Sequence, residues 1–268
     1  MSDDTLEVCG RRQLLSTAAR SFAAIAVIAT TAAALKSTPA KADSGGVPNC
    51  PPPSGAPQCN CFLKGTVIDT PDGPKKIEDL AIGDLVGTVG GEVRPIQFVS
   101  VYSYRKSDPS REWVADVRPV RVRKSAISDN VPNRDLYLTR GHSLYLDGVL
   151  IPVHNLINGS TIVVDPAEHL SELDYFHIKL ESHDVVLAEG APCETLLTVN
   201  ESAKNFADYY RAYGFPVEEQ PYAPVHSCNG GRSEIRSRLR SAMSIVKDIR
   251  QPLDMVRDRL DARAASVV

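Results

Sequence analysis

The apolar residues in the middle of the chain come in short runs that are rich in β-branched side chains and separated by turn signals. Two of these runs are joined by Asp147-Gly148, a dipeptide typical of a tight β-hairpin turn. Many short runs at close spacing, with little helical periodicity, predict an all-β domain over residues 61–198. The runs expected to be extended are Thr66–Thr70, Leu85–Val89, Ile96–Tyr104, Val117–Arg123, Leu144–Leu146, Val149–Ile151, Ile162–Val164, Phe176–Leu180 and Val185–Leu187.

Beyond this domain the apolar positions recur at helical spacing, which predicts a helical C-terminal extension over residues 199–268. We expect one helix over residues 203–213, a linker rich in Pro and Gly over 216–231, and a longer helical stretch interrupted at Pro252. The apolar positions of that stretch are Ile235, Leu239, Ala242, Val246 and Ile249, and then Leu253, Val256 and Leu260. Its polar face carries Arg236, Arg238, Arg240, Arg250, Arg257, Arg259 and Arg263. We favour an amphipathic helix that packs on the β domain over one that contacts a membrane surface or a partner protein.

Residues 1–42 have the pattern of a targeting segment. Arg11-Arg12 is a twin-arginine start, an apolar run follows from Phe22 to Leu35, and Ala40-Lys41-Ala42 is a small-x-small cleavage site. The pattern predicts a twin-arginine-type signal peptide that is cut between Ala42 and Asp43, and export to the periplasm or the extracellular space. The apolar run is shorter than the ~20 residues that a membrane span needs, so an uncleaved anchor is the less favoured alternative.

Residues 43–60 are rich in Pro, Gly and Ser and have little to bury, which predicts a flexible or polyproline-like leader. Loss of Cys9 with the signal leaves five cysteines, an odd number. In an oxidising compartment at least one thiol then stays free or pairs between chains. A bridge from Cys50 to Cys59, or a strained pair of Cys59 and Cys61, is an alternative for these side chains. The formal charge of −3 over 268 residues gives no reason to expect a nucleic-acid partner.

Cys61 lies where the leader meets the predicted domain, which is where a nucleophile would have to lie to attack the carbonyl on its own N-terminal side. Thr139 and His142 are three residues apart, with Gly141 allowing a tight bend, so that both side chains can face one point. Imidazole can protonate a departing backbone nitrogen while the hydroxyl orients the amide.

A third group of polar side chains lies between residues 175 and 190. We expect the runs Phe176–Leu180 and Val185–Leu187 to form an apolar hairpin that carries His177, His183 and Asp184 near its turn. These side chains could support the reaction or accept protons. The equal alternative is that they only stabilise the hairpin.

Several of these motifs, taken in order, resemble the Hint family of hedgehog and intein domains, and most closely its bacterial members related to hedgehog autoprocessing domains. They are Cys61-Phe62 with Gly65-Thr66, Pro71-Asp72-Gly73, Gly83-Asp84, Thr139-x-x-His142 and His183-Asp184-Val185-Val186-Leu187-Ala188-Glu189-Gly190. The resemblance implies an all-β Hint fold with the helical segment as an appendage. It also implies an N-to-S acyl shift at Cys61, promoted by Thr139 and His142, which converts the Asn60–Cys61 peptide bond into a thioester.

The chain departs from the intein pattern after Gly190, where Ala191-Pro192-Cys193-Glu194 replaces a terminal His-Asn. The resemblance therefore implies cleavage or transfer at the Asn60–Cys61 bond, with the leader as substrate, and no two-sided splicing. His177 occupies a position where the family often carries an acidic residue, and Asp184 falls near another commonly polar position.

Two other functions are kept as alternatives. The chain could be a catalytically silent, exported Hint module that acts by binding, or a thiol hydrolase in which Cys61 and His142 act on other proteins. No metal-ligand cluster, phosphate loop or dinucleotide fingerprint is present in the sequence, so no cofactor is expected.

Overall fold

The computed structural model describes residues 60–199, 205–214, 219–226 and 252–267. All of them belong to the second of the two units into which the chain divides, Val47–Val268. The expected signal peptide, leader residues 43–59 and the helical run from Ile235 to Ile249 lie outside the described residues, as do Cys50 and Cys59.

Fourteen short strands and two helices make up the described regular structure, with brief 3₁₀ turns at Ile77–Asp79, Ala115–Val117 and Val153–Leu156. The strands are β1 (Phe62–Leu63), β2 (Val67–Ile68), β3 (Lys75–Lys76), β4 (Leu85–Gly87), β5 (Val93–Pro95), β6 (Phe98–Arg105), β7 (Val120–Val122), β8 (Leu136–Leu138), β9 (Ser143–Leu146), β10 (Val149–Pro152), β11 (Ile162–Val164), β12 (Glu172–Lys179), β13 (Val185–Ala188) and β14 (Ala191–Glu194). The helices are α1 (Phe206–Tyr213) and α2 (Pro252–Val267).

Two antiparallel six-stranded sheets hold most of the strands, in the orders β11-β7-β8-β1-β12-β6 and β10-β9-β14-β13-β2-β3, while β4 and β5 form a separate pair. The prediction of an all-β domain is confirmed. The hairpin expected at Asp147-Gly148 joins β9 to β10, and both turn residues have positive φ, 50° and 83°, as a type I′ turn requires.

One predicted hairpin is wrong. Strands β12 and β13 do not pair with each other, because β12 is bonded on its two edges to β1 and β6, and β13 to β14 and β2. The connection that carries His183 and Asp184 therefore crosses from one six-stranded sheet to the other instead of turning back within one.

The main core lies between the sheets and includes Phe62 of β1 and Leu138 of β8. Helix α2 adds Leu253, Val256 and Leu260 to this core, each at most 2% exposed. The favoured interpretation of these positions, a helix that packs on the β domain, is confirmed for this segment.

Three arginines of α2 bond to residues of the β domain. Arg257 donates to the carbonyl oxygen of Asn155 at 2.6 Å, Arg259 pairs with Asp147 at 2.6 Å, and Arg263 pairs with Asp129 at 2.6 Å. Arg236, Arg238, Arg240 and Arg250 lie outside the described residues. No helix among the described segments is long and apolar enough to cross a bilayer.

Candidate active site

The peptide bond between Asn60 and Cys61 is held by Thr139. Strand β1 lies between β8 and β12, with Phe62 opposite Leu138, so that Cys61 just before β1 meets Thr139 just after β8. The backbone N–H of Cys61 donates to the hydroxyl oxygen of Thr139 at 2.8 Å, and the N–H of Thr139 donates to the carbonyl oxygen of Cys61 at 2.9 Å. The hydroxyl predicted to orient the amide therefore lies against the nitrogen of that bond.

His142 is fully buried beside the same strand. A tight turn between Thr139 and His142 sets the position of this residue, because the N–H of His142 donates to the carbonyl oxygen of Thr139 at 3.1 Å. Its ring lies 4.3 Å from the ring of Phe62 and 5.0 Å from that of His177. Neither ring nitrogen has a hydrogen-bond partner among the described residues. Burial lowers the pKa of His142 to about 4, although the nearby Glu194 carboxylate acts to raise it, so the imidazole is neutral at pH 7.

The thiol of Cys61 lies in a different environment. It is 1% exposed, forms no disulfide, and belongs to an apolar cluster with Leu63, Trp113 and Tyr175. Successive side chains on an extended chain point to opposite faces, which explains why Cys61 and Leu63 share this cluster while Phe62 packs against His142. Burial raises the pKa of the Cys61 thiol well above its ordinary value.

His177 and His183 come together although their strands do not pair. His177 on β12 has its Nε2 3.4 Å from the carbonyl oxygen of Glu194, and burial, with His142 as a lesser influence, holds its pKa well below the ordinary value. His183 places its Nε2 3.6 Å from the Glu194 carboxylate, longer than an ordinary hydrogen bond. Both imidazoles therefore lie around Glu194.

Asp184 makes a different set of contacts. Its carboxylate accepts the N–H of Val185 at 2.8 Å and pairs with Arg94 at 3.2 Å. These contacts anchor the start of β13 to the neighbouring β4–β5 pair, in keeping with the structural alternative for this residue.

Glu194, the acid at the end of β14, also belongs to this site, and no sequence motif predicted it. It is 5% exposed, and one carboxylate oxygen accepts the Asn60 side-chain amide at 2.9 Å and the N–H of Ser143 at 2.7 Å. Burial acts to raise its pKa, but His183, His142 and the Ser143 N–H outweigh burial, and the pKa of this carboxyl lies below its ordinary value. An acidic residue in the otherwise uncharged strand Ala191-Pro192-Cys193-Glu194 was the available signal.

The site thus presents a backbone amide bonded to Thr139, a buried thiol on one face of the strand, and a neutral imidazole on the other. The described residues contain no group of three or more His, Cys, Asp or Glu side chains that could hold a metal ion.

Comparison with known proteins places these residues in a family. The family model described as Hint domain matches residues 60–200, which is more than half of the chain. No curated protein matches the sequence significantly. Among solved structures, the gp41-1 intein is 12% identical, with a TM-score of 0.37, and the match covers 51% of this chain and 98% of that one.

Two further solved structures match over a similar extent. The MchDnaB-1 intein is 15% identical, with a TM-score of 0.35, over 50% of this chain and 99% of that chain. A bacterial intein-like domain from Clostridium thermocellum is 17% identical, with a TM-score of 0.36, over 52% of this chain and the whole of that domain.

Proposed function

Because this chain belongs to the Hint domain family, whose domains are capable of autoprocessing, we propose that it cuts its own backbone between Asn60 and Cys61. The substrate is the chain's own leader, residues 43–60. Cleavage proceeds by an N-to-S acyl shift without two-sided splicing, since Ala191-Pro192-Cys193-Glu194 follows Gly190 in place of the terminal His-Asn that splicing needs.

In the first step the sulfur of Cys61 forms a bond to the carbonyl carbon of Asn60. The bond from that carbon to the Cys61 nitrogen breaks, and the proton lost by sulfur ends on this nitrogen. The product is a thioester with a free amine. Water then attacks the thioester, which releases a leader ending in the Asn60 carboxylate and restores the thiol.

The hydrogen bond from the Cys61 N–H to the Thr139 hydroxyl is the observation that carries this proposal. A planar amide resists attack because resonance gives its C–N bond partial double-bond character. A hydroxyl held 2.8 Å from the amide nitrogen can fix that nitrogen while it becomes pyramidal, and can then donate to it. Thr139 is therefore proposed to stabilise the departing nitrogen.

His142 is proposed to complete the proton transfer. The buried imidazole has no partner among the described residues, so its ring nitrogens can carry a proton transiently, and a pKa of about 4 makes its protonated form a stronger acid than an ordinary imidazolium. His142 lies on the face of the strand opposite the thiol, so that attack by sulfur and protonation of nitrogen take place on different sides of the amide. His177 and His183 are proposed to support this pocket without touching the reacting atoms.

Trapping the thioester tests the proposed chemistry. Hydroxylamine added to the freshly purified full chain should release the leader as an Asn60 hydroxamate, and added thiol should release it as a thioester. Cys61→Ala should give neither product. A leader released from Cys61→Ala that is lighter by one water would instead indicate cyclisation of Asn60 and would overturn the acyl shift.

A catalytically silent Hint module is the second candidate, and burial of the Cys61 thiol favours it. A thiol that is 1% exposed and protonated at neutral pH is a poor nucleophile until it ionises. In that case the Asn60–Cys61 bond would stay intact in cells that export the chain. The function of such a silent module would then depend on the proposed export by the twin-arginine-type signal. It would also depend on the proposed contact of the basic C-terminal segment with a protein or membrane surface.

A further inference from the structure

The side chain before the proposed cleavage point is bound by a buried carboxylate. Asn60 donates from Nδ2 to Oε1 of Glu194 at 2.9 Å, and the same oxygen accepts the N–H of Ser143 at 2.7 Å. Asn60 also supplies the carbonyl carbon of the bond to Cys61. Any group that fixes its side chain therefore fixes the acyl side of that bond.

The second oxygen of Glu194 faces His183, whose tautomer is set from the C-terminal extension. The backbone N–H of Tyr222 donates to Nδ1 of His183 at 2.9 Å, so the proton of the neutral imidazole is on Nε2, which lies 3.6 Å from Glu194 Oε2. Residues 219–226 are themselves fixed, since Leu150 exchanges backbone hydrogen bonds with Pro224 and His226 at 2.9 and 2.8 Å. One oxygen of the carboxylate is thus hydrogen-bonded by Asn60 and Ser143, and the other faces the Nε2 proton of His183 at a longer distance.

We propose that Glu194 is the recognition residue for the side chain at position 60, and that it accepts an amide there and rejects a carboxylate. This recognition would set the specificity of the proposed cleavage, and it therefore rests on the proposed function. An ionised carboxylate only accepts hydrogen bonds, so a donor such as the Asn60 amide satisfies it. An aspartate in the same place would bring a second carboxylate to the 2.9 Å contact, where like charges in a poorly solvated site repel.

A four-member cycle of variants tests this recognition in the full chain. Asn60→Asp should slow leader release at least ~tenfold, because a buried polar group is left facing the wrong partner. Glu194→Gln combined with Asn60→Asp should recover most of the rate, because a glutamine amide can donate to the new carboxylate. Glu112→Gln, at a side chain 76% exposed, is the matched control and should not change the preference for Asn. Equal slowing by Asn60→Asp with either residue at position 194 would overturn the proposal.

The same cycle in a Cys61→Ala background separates this inference from the cleavage itself. Urea unfolding should show that the effects of Asn60→Asp and Glu194→Gln are strongly non-additive, with the double variant more stable than the sum predicts. Additive effects would overturn the recognition even if the wild-type chain releases its leader. If non-additivity is found while the wild type never releases the leader, the recognition is supported and the proposed function alone fails.

Discussion

The hydroxyl oxygen of Thr139 lies 2.8 Å from the backbone nitrogen of Cys61, although 78 residues separate the two in sequence. The contact exists because β1 and β8 are neighbours in one sheet, with Phe62 opposite Leu138. It joins the end of one strand to the start of another at the bond that we propose is cut.

Removing this hydroxyl tests its role in the reaction. Thr139→Val keeps the shape of the side chain but removes the acceptor of the Cys61 N–H, and we expect leader release to slow roughly 100-fold. Thr139→Ser keeps the hydroxyl and should retain most of the rate. Rates from a time course of full-length and cleaved chain on a gel decide this. Equal rates for the valine and serine variants would remove Thr139 from the mechanism.

The rate should rise with pH. Burial raises the pKa of the Cys61 thiol well above its ordinary value, so the thiolate is a small fraction of the population near neutral pH. If attack by the thiolate limits the rate and comes before protonation of the Cys61 nitrogen, the thiolate fraction and the rate increase about tenfold per pH unit below the thiol pKa. Single-turnover rates between pH 6.5 and 8.5 measure this slope, and a plateau across that range would contradict this order of steps.

Acid should destabilise the domain through its buried imidazoles. The pKa of His142 is about 4 in the folded chain against an ordinary value near 6.5, so the unfolded chain binds the proton more tightly between these values. The stability associated with His142 is complete above pH 6.5 and falls as the pH drops towards 4, with a loss of roughly 2 kcal/mol by pH 5. His177, whose pKa is also lowered, acts in the same direction.

Urea denaturation at pH 7 and pH 5 measures this loss. His142→Gln removes one of the two imidazoles and should make the free energy of unfolding less dependent on pH. The same pH dependence in the variant as in the wild type would show that His142 is not buried in its neutral form.

The C-terminal helix should stabilise the β domain. Val256 is fully buried in the main core, so Val256→Ala should lower the free energy of unfolding by about 1 to 3 kcal/mol. Met255→Ala, at a neighbouring side chain 44% exposed, is the matched control and should have little effect. Thermal or urea unfolding compares them, and equal effects of the two changes would mean that α2 does not pack as described.

Local patterns predicted much of the fold. The Asp147-Gly148 turn between apolar runs was sufficient to predict the β9–β10 hairpin, because both turn residues favour the required positive φ. The pairing of β12 and β13 was wrongly predicted, since adjacency along the chain does not reveal that both edges of each strand are occupied by strands distant in sequence.

The residues of the candidate site likewise include some that local sequence predicts and others that it does not. Thr139 and His142 could be predicted as a pair because they are three positions apart and the turn between them is local. Glu194 was missed because its partners Asn60 and Ser143 are 134 and 51 residues away, so that only the assembled sheets bring the three together. Opposite placement of the thiol and the imidazole likewise depends on the pairing of β1 within its sheet.

The intact mass of the purified full chain, compared with that of Cys61→Ala, tests the central claim most directly. Self-cleavage at the proposed bond predicts a wild-type species that begins at Cys61, together with a leader that ends in the Asn60 carboxylate, and an uncut Cys61→Ala chain. A wild-type chain that keeps the Asn60–Cys61 bond after prolonged incubation in thiol near neutral pH, with the same mass pattern as the variant, would contradict the account.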